Sequence, residues 1–490
     1  MTSLTDTTAS FGTIHFGAAQ LGDIRRTRRL VLAADAIAQH PGGTLPQKLH
    51  DPAPLNAVYR LANRKEVTHA AVLEPHRQHT LEAMRQTDGP ILLIHDTTEL
   101  DYTEITSLEK LGQIGNGGGR GYQCHNTLAV HAPTRTALGL ANQILTCRDH
   151  VPKDESRQAK RDRLTRESRL WKQGSAAVGP APDGALWVDI CDRAADTFEY
   201  IEYISTTNRN YIVRSQFDRR CMVTRDGIEC RSKLHEYARR LEPLGGRYVP
   251  VQAHKGQPAR LAKVLVAATA VEVLAPKQPR GEHGTDPLPL NLVVVREIEA
   301  PQTAEPLEWI LLTALPANDL TEACVIVDWY GYRPIVEELH KGMKTGCGIE
   351  TLQFTTEAAL EPVIALLSVV AVFLLGLRDA ARDPKTAAEP ATQYVPVIYT
   401  EVLCGWRHGE VRPGWTVKEF YHALGRLGGH QNRKCDPPPG WLVLSRGWTR
   451  LQAMVDGVEA MHRCRDRPAA TGERSRAEPR SEGRTTGGVT

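Results

Sequence analysis

The amino-acid sequence predicts an α/β fold with helical segments at both ends and a β-rich insertion, on three observations. Short apolar runs bounded by turn residues (Ile91–Ile94, Leu186–Cys191 and Tyr211–Arg214) alternate with helix-like stretches, as buried strands of a central sheet do. Residues 221–300 turn rich in Val, Thr and Ile with frequent Gly and Pro, which reads as added β-structure. Helical spacing governs residues 11–70 and returns after residue 317, persisting to about residue 463.

Size and composition bound the possibilities. The 490 residues suit two to four domains, at roughly 150 residues each. With 41% hydrophobic and 24% charged residues, the composition is globular. The longest apolar run, Val363–Leu377, is shorter than the ~18 residues a bilayer-spanning helix needs, so no membrane partner is expected. MTSLTDTTAS has neither a basic nor an apolar signal region, and the ten cysteines never form C-x-x-C. A cytoplasmic chain with reduced thiols, lacking a zinc site or disulfide frame, is therefore expected. The net charge of +3, from 60 Lys+Arg against 57 Asp+Glu, does not by itself announce a polyanion partner. Local clusters carry that case: Arg25, Arg26, Arg28 and Arg29 in LGDIRRTRRL, and Lys153–Lys172 with eight basic against four acidic residues.

In chain order, Leu21, Leu30, Val31, Ala34, Ile37 and Ala38 recur at helical spacing until Pro41-Gly42-Gly43, predicting a small helical module with a basic outer face. Ile91–Ile94 predicts a buried strand. Residues 111–122 (LGQIGNGGGRGY) predict a tight turn; they lack the G-x4-G-K-[ST] of a phosphate loop. Residues 126–132 and 136–145 predict a meander, 153–174 a charged helix, and 363–377 a core or interface helix. Trp415, Trp441 and Trp448 are expected to be packing anchors, and His125 and Asn126 a satisfied structural pair. Residues 465–490, almost free of large apolar side chains, predict a disordered tail.

Two aspartates directly follow strand-like runs: Asp96 in IHDTTEL and Asp192 in CDRAAD. Ends of strands in α/β sheets are where catalytic groups collect, although such an Asp also serves as a turn former or cap. Residues 328–348 (DWYGYRPIVEELHKGMKTGCG) are more specific. On one continuous helix Tyr330, Arg333, Glu337, Lys341 and Lys344 would share an arc of about 80°. Pro334 disfavours helical geometry at Arg333, so the helix is expected to begin at Pro334. The ordinary alternative is a solvated face with Glu337–Lys341 pairing. Three carboxylates from separate elements suit a pair of hard divalent cations and phosphoryl transfer, with Arg and Lys holding phosphates.

IHDTTEL, CDRAAD and Y-x2-R-x3-E-x6-K (Tyr330, Arg333, Glu337, Lys344) resemble the DDE transposases of insertion-sequence family four, especially the Tn-five type, which cuts and pastes through a DNA hairpin. LGDIRRTRRL, AVYRLANRKEV, IVRS, EWILLT and LGGHQNRK…GWLVLSRGW extend the likeness over roughly residues 10–460. The resemblance implies a ribonuclease-H-like catalytic core interrupted by the β-rich insertion. That fits the 144 residues between Asp192 and Glu337. It implies Asp96, Asp192 and Glu337 as ligands for two Mg2+ ions, for which Mn2+ would substitute. Tyr330, Arg333 and Lys344, with the neighbouring Lys341, would bind the strand near the cut; Trp309 would enter the space left by a flipped base, and Arg214 would lie near the transferred end. Arg25, Arg26, Arg28 and Arg29 would recognise terminal inverted repeats in double-stranded DNA, and target DNA would be a second nucleic-acid partner. A homodimer is implied, joined largely through the C-terminal helical region.

The implied organisation is an end-recognition module at 1–70, a catalytic core at 71–220 and 301–378, the insertion at 221–300, a dimerisation region at 379–464 and the tail at 465–490. One departure is Pro334, where the family has an aromatic that stacks on the flipped base; losing it forgoes about 1–3 kcal/mol of stacking. Two other readings stay open: a nuclease sharing the core without transposition, and a catalytically idle DNA-binding inhibitor of transposition.

Overall fold

A computed structural model describes residues 9–148, 166–225, 228–251, 259–277, 281–302, 304–433 and 438–465, with 156, 159 and 436. Much of the basic stretch Lys153–Lys172 and all of the tail after Arg465 lie outside the described residues.

Four short helices open the chain: α1 (Phe11–Phe16), α2 (Ile24–Gln39), α3 (Leu45–Leu49) and α4 (Pro52–Ala62). Ser10 and Asp23 cap α1 and α2 by accepting from the backbone N–H of Thr13 and Arg25 at 3.2 and 2.9 Å. Pro52 occupies the first turn of α4, where no donor is needed. Leu30, Ala33, Ala34, Ile37 and Ala38 bury one face of α2, leaving its arginines off that stripe. α5 (His69–Gln86) then leads to the sheet.

Among the described residues twelve strands make one sheet: β1 (Ile91–Asp101), β2 (Gly112–Ile114), β3 (Gly119–His131), β4 (Thr136–Thr146), β5 (Trp187–Cys191), β6 (Asn210–Arg214), β7 (Arg220–Arg225), β8 (Ile228–Lys233), β9 (Gly245–Val251), β10 (Arg260–Val273), β11 (Leu288–Glu297) and β12 (Glu308–Thr313). The order is β2-β3-β1-β5-β6-β12-β11-β10-β7-β8, with β4 on β3 and β9 on β10. β1, β5 and β6 run parallel and the remaining pairs antiparallel. α6 (Leu170–Val178), α7 (Phe198–Ser205) and α8 (Leu234–Arg239) lie between strands in sequence. The chain continues through α9 (Leu320–Tyr330), α10 (Pro334–Lys341), α11 (Glu357–Arg382), α12 (Val397–His408), α13 (Val417–Leu427) and α14 (Trp441–Arg465).

The structure corrects or sharpens several expectations. β1 does not end at His95: its pairing with β3 continues to Asp101↔Gly121, so Asp96 sits inside the strand. The glycine-rich turn is the hairpin joining β2 to β3, and a Cβ at Gly121 would fall 1.8 Å from the Leu100 carbonyl oxygen, so the crossing demands glycine. The charged helix expected over 153–174 lies largely outside the described residues; within them Ala159 is helical, Glu167–Arg169 form a 3-10 turn and a helix runs from Leu170. The β-rich strands do not form a sheet of their own, because β11 pairs with β12 and β12 with β6.

Alternation along the strands separates two cores. Leu92, Ile94, Val188 and Ile190 face α11, whereas Cys191, Tyr211 and Val213 face the layer of α6 and α7 around Trp171 and Phe198. α11 is apolar on all sides because it is enclosed on all sides. It absorbs Val363–Leu377 into a 26-residue helix, longer than the apolar run alone suggests. By length and composition it could cross a membrane, but 83% of its most apolar window is buried within the fold, as in a core helix. Trp415, Trp441 and Trp448 are buried.

Candidate active site

Asp96 and Asp192 share one register. The parallel β1–β5 ladder pairs Ile91↔Trp187 through Ile94↔Ile190. Two residues beyond the last of these pairs stand Asp96, inside β1, and Asp192, the first residue past β5, whose extended backbone carries the alternation on to the side of Ile94 and Ile190. Neighbouring strands lie about 4.8 Å apart, so the two carboxylates project from adjacent positions toward the face covered by α10 and α11. Asp192 also caps the short turn after β5, accepting from Ala194 N at 3.0 Å.

Glu337 arrives from α10. Ile335, Val336 and Leu339 anchor that short helix in the same core as Ile94 and Ile190. Pro334 begins α10 as expected, but Arg333 is helical, with φ −48° and ψ −39°, despite preceding proline. Local hydrogen bonds offset the pre-proline penalty: Arg333 N donates to the Tyr330 carbonyl at 3.1 Å, and Val336 N donates to that of Arg333 at 3.2 Å. The segment therefore winds on between α9 and α10 without being one helix.

Arg333 lies among the acids. Its guanidinium is 3.3 Å from Asp96 Oδ2 and forms a close ion pair with Glu337. Burial lifts the Asp96 carboxyl to about 6; Arg333 opposes the rise, and the charges of Asp192 and Glu337 add to it. Burial likewise raises Asp192. Although burial disfavours the charge on Arg333, Asp96, Tyr330, Glu337 and Asp192 hold it firmly protonated. One cation thus faces three carboxylates.

Tyr330, at the end of α9, is buried and hydrogen-bonded to Arg214 at the end of β6. Arg214 also donates to the Glu308 carbonyl at 2.8 Å, tying β6 to β12. Trp309 meets Tyr330 edge-to-face with ring centroids 5.0 Å apart. Tyr330, Arg333, Arg214 and Trp309 therefore form one continuous group beside the acids. Lys344 lies in a π-helical turn, Gly342–Gly346, and pairs with Glu350 at 3.1 Å. Trp441 packs against Gly342 and Gly346 there: a Cβ on Gly346 would lie 2.6 Å from the indole. Lys341 is turned outward to Glu338 at 2.9 Å and does not join the cluster.

One neighbour escaped the sequence reading. His340, one turn beyond Glu337, places Nδ1 3.9 Å from Asp96 Oδ2, while Asn126 donates to its Nε2 at 3.1 Å. Burial, with Lys344 and Arg333 nearby, pushes its pKa down to about 3, so the imidazole is neutral. Its signal is the E-x-x-H spacing, which means nothing until Asn126 is seen opposite. Asn126 also accepts from Gln143 at 2.7 Å, and His125 meets Thr97 Oγ1 at 2.9 Å; both are buried, satisfied residues.

The donor set fits hard divalent cations. It offers carboxylate oxygens from three elements, and the charges of Asp192 and Glu337 add to the burial that raises the Asp96 pKa. A cleft of about 790 Å³ reaches Ala194, two positions after Asp192, but is lined by none of the three acids. Arg166, Arg219, Arg220, Lys233 and Lys277 line it.

In the N-terminal module Arg25 pairs with Asp23 at 2.7 Å and Arg26 with Glu66 at 2.9 Å, while Arg28 and Arg29 are exposed. Residues 9–67 match the transposase DNA-binding family. The match spans α1–α4 and includes all four arginines. It supports a DNA-binding transposase whose partner is DNA.

Proposed function

We propose that this chain is a metal-dependent DDE transposase of the insertion-sequence family-four type, which cleaves the ends of its element and joins them to target DNA. The observation that carries the reading is the registered pair Asp96 and Asp192 facing Glu337 across Arg333. A ribonuclease-H-like core is supported by the strand order β4-β3-β1-β5-β6, three antiparallel strands followed by two parallel ones.

On this reading Asp96, Asp192 and Glu337 would hold two Mg2+ ions. Such ions lower the pKa of an attacking water or 3′-hydroxyl and neutralise the leaving oxygen. The remaining work belongs to the side chains. Arg333 exchanges carboxylate for phosphate and fixes the scissile group by a forked contact. Tyr330 and Arg214 hold the adjoining strand. Trp309, braced edge-on by Tyr330, is the aromatic available to a displaced base, and the hairpin route depends on it because Pro334 offers no aromatic ring. Neutral His340 keeps Asp96 from acquiring a second permanent counter-charge. Arg25, Arg26, Arg28 and Arg29 supply contacts to the terminal inverted repeats. A homodimer on paired ends completes the proposal.

The test is incubation of the full-length chain with duplexes carrying the inverted repeats that flank its gene. Mg2+-dependent nicks at the repeat boundary that leave a 3′-hydroxyl, within a paired-end complex, are expected. Binding without any cleavage would leave a DNA-binding protein only, and cleavage needing no paired complex would indicate a simple nuclease.

A further inference from the structure

A second group of metal-binding residue types lies where the N-terminal module meets the C-terminal helices. His40 is the cap residue after α2, His50 the cap residue after α3, and Asp456 lies on α14. One ligand atom from each falls within 4.8 Å of the other two. His40 Nδ1 and His50 Nε2 approach the same oxygen, Asp456 Oδ1, at 3.8 and 3.7 Å. Both distances are too long for hydrogen bonds. The imidazoles cross edge-on with centroids 4.6 Å apart. The three groups converge without bonding to one another.

The surroundings favour a central cation. His50 holds φ at +53°, a conformation non-glycine residues rarely adopt. The Tyr399 hydroxyl lies 2.7 Å from the Gln39 carbonyl and 2.8 Å from His40 Nδ1, and has one proton to give. With that proton on the carbonyl, the Tyr399 oxygen accepts from His40 Nδ1–H, and a metal binding Nδ1 would displace this proton. The Tyr399 ring stacks on Trp448, which fixes the hydroxyl's direction. His50 and Asp456 are partly exposed, so an ion can enter from solvent.

We propose that His40, His50 and Asp456 form a site for a borderline divalent transition metal, Zn2+ by preference, that staples the DNA-recognition module to α14. Two imidazole nitrogens and one carboxylate oxygen are ligands Zn2+ accepts, with water completing four-coordination. Donor atoms around zinc lie about 3.3 Å apart when bonds are about 2.0 Å, so each imidazole nitrogen must close by about 0.5 Å on the carboxylate oxygen, and the two nitrogens, within 4.8 Å of each other, must close as well. Mg2+ selects oxygen donors and is not expected to compete. The inference rests on these residues alone, independently of the proposed catalysis.

Co2+ titration of the full-length chain in excess Mg2+, followed by visible absorption, tests the site. Mg2+ occupies the all-carboxylate cluster, so the signal reports imidazole-containing coordination. The wild-type chain is expected to bind one Co2+ with the absorption of four-coordinate cobalt. His50→Asn, which tolerates positive φ, and Asp456→Asn should each weaken binding by roughly tenfold or more, the scale set even by outer-sphere groups. Zn2+ should raise the thermal midpoint of the wild type but not of His50→Asn. No saturable cobalt spectrum, a spectrum undiminished in both variants, or a zinc-induced rise retained in His50→Asn would overturn the proposal.

Discussion

The central sheet carries two buried aspartate environments that differ in charge balance. Asp189, in β5, meets Arg209 at 3.2 Å, His95 at 2.8 Å and the Ser175 hydroxyl at 2.6 Å. Burial alone would raise its pKa, yet Arg209 and the hydrogen bonds from His95 and Ser175 bring it below the ordinary value. Asp96, on neighbouring β1, shares a single guanidinium with Glu337 and Asp192 nearby, and its pKa rises to about 6. A satisfied carboxylate holds a fold together; an under-compensated cluster is prepared to receive cations. Three positions separate Asp189 from Asp192, and the partners around them set the two apart.

The largest expected effect separates the two environments by activity. Asp96→Asn, Asp192→Asn and Glu337→Gln should each lower Mg2+-dependent end cleavage by several kcal/mol, on the order of 10³ in rate, while gel-shift binding of end DNA is retained. Retained cleavage in any one removes that residue from the site. Next comes stability: Asp189→Ala strands buried Arg209 and should cost about 3–5 kcal/mol in urea unfolding. A cost under 1 kcal/mol would mean that Asp189 is not the strut inferred here.

The third effect is pH-dependent. Asp96 binds its proton more tightly folded, at about 6, than at its ordinary 3.8. Its stabilising contribution is therefore fully present below about pH 4 and lost as pH rises through about 6, up to roughly 3 kcal/mol. Without divalent ions, Asp96→Asn should remove that pH-linked loss and melt higher than the wild type at pH 7. A lower melting temperature would show that the ion pair with Arg333 outweighs burial and repulsion. Smaller still, Arg28→Ala and Arg29→Ala should weaken binding of end DNA modestly and each reduce the salt slope by about 0.9, measured by anisotropy across salt concentrations. An unchanged slope would take these side chains off the phosphates.

The sequence made Asp96 and Asp192 visible because a charge behind an apolar run is a local pattern. Glu337, Arg333 and Tyr330 were visible through their spacing. Asp189 was passed over as a residue inside a strand, although a carboxylate within WVDIC was itself a sign of buried pairing. Its partners His95 and Arg209 are remote in sequence, so the balance could not be read locally. His340 was missed for the same reason, since its meaning comes from Asn126 on β3. The sheet's continuity through β12 was illegible because only long-range pairing reveals that β11 joins β6 through that strand. The helical conformation of Arg333 ran against the local rule for a residue before proline.

Under the proposed chemistry, the guanidinium resting between Asp96 and Glu337 would act as a built-in safety catch. An ion arriving in the absence of DNA must evict a resident counter-charge, whereas a phosphodiester offers that same counter-charge another berth. Under the proposed chemistry, arming and engagement become a single event, so an idle molecule diffusing through the cell would not damage the genome that encodes it.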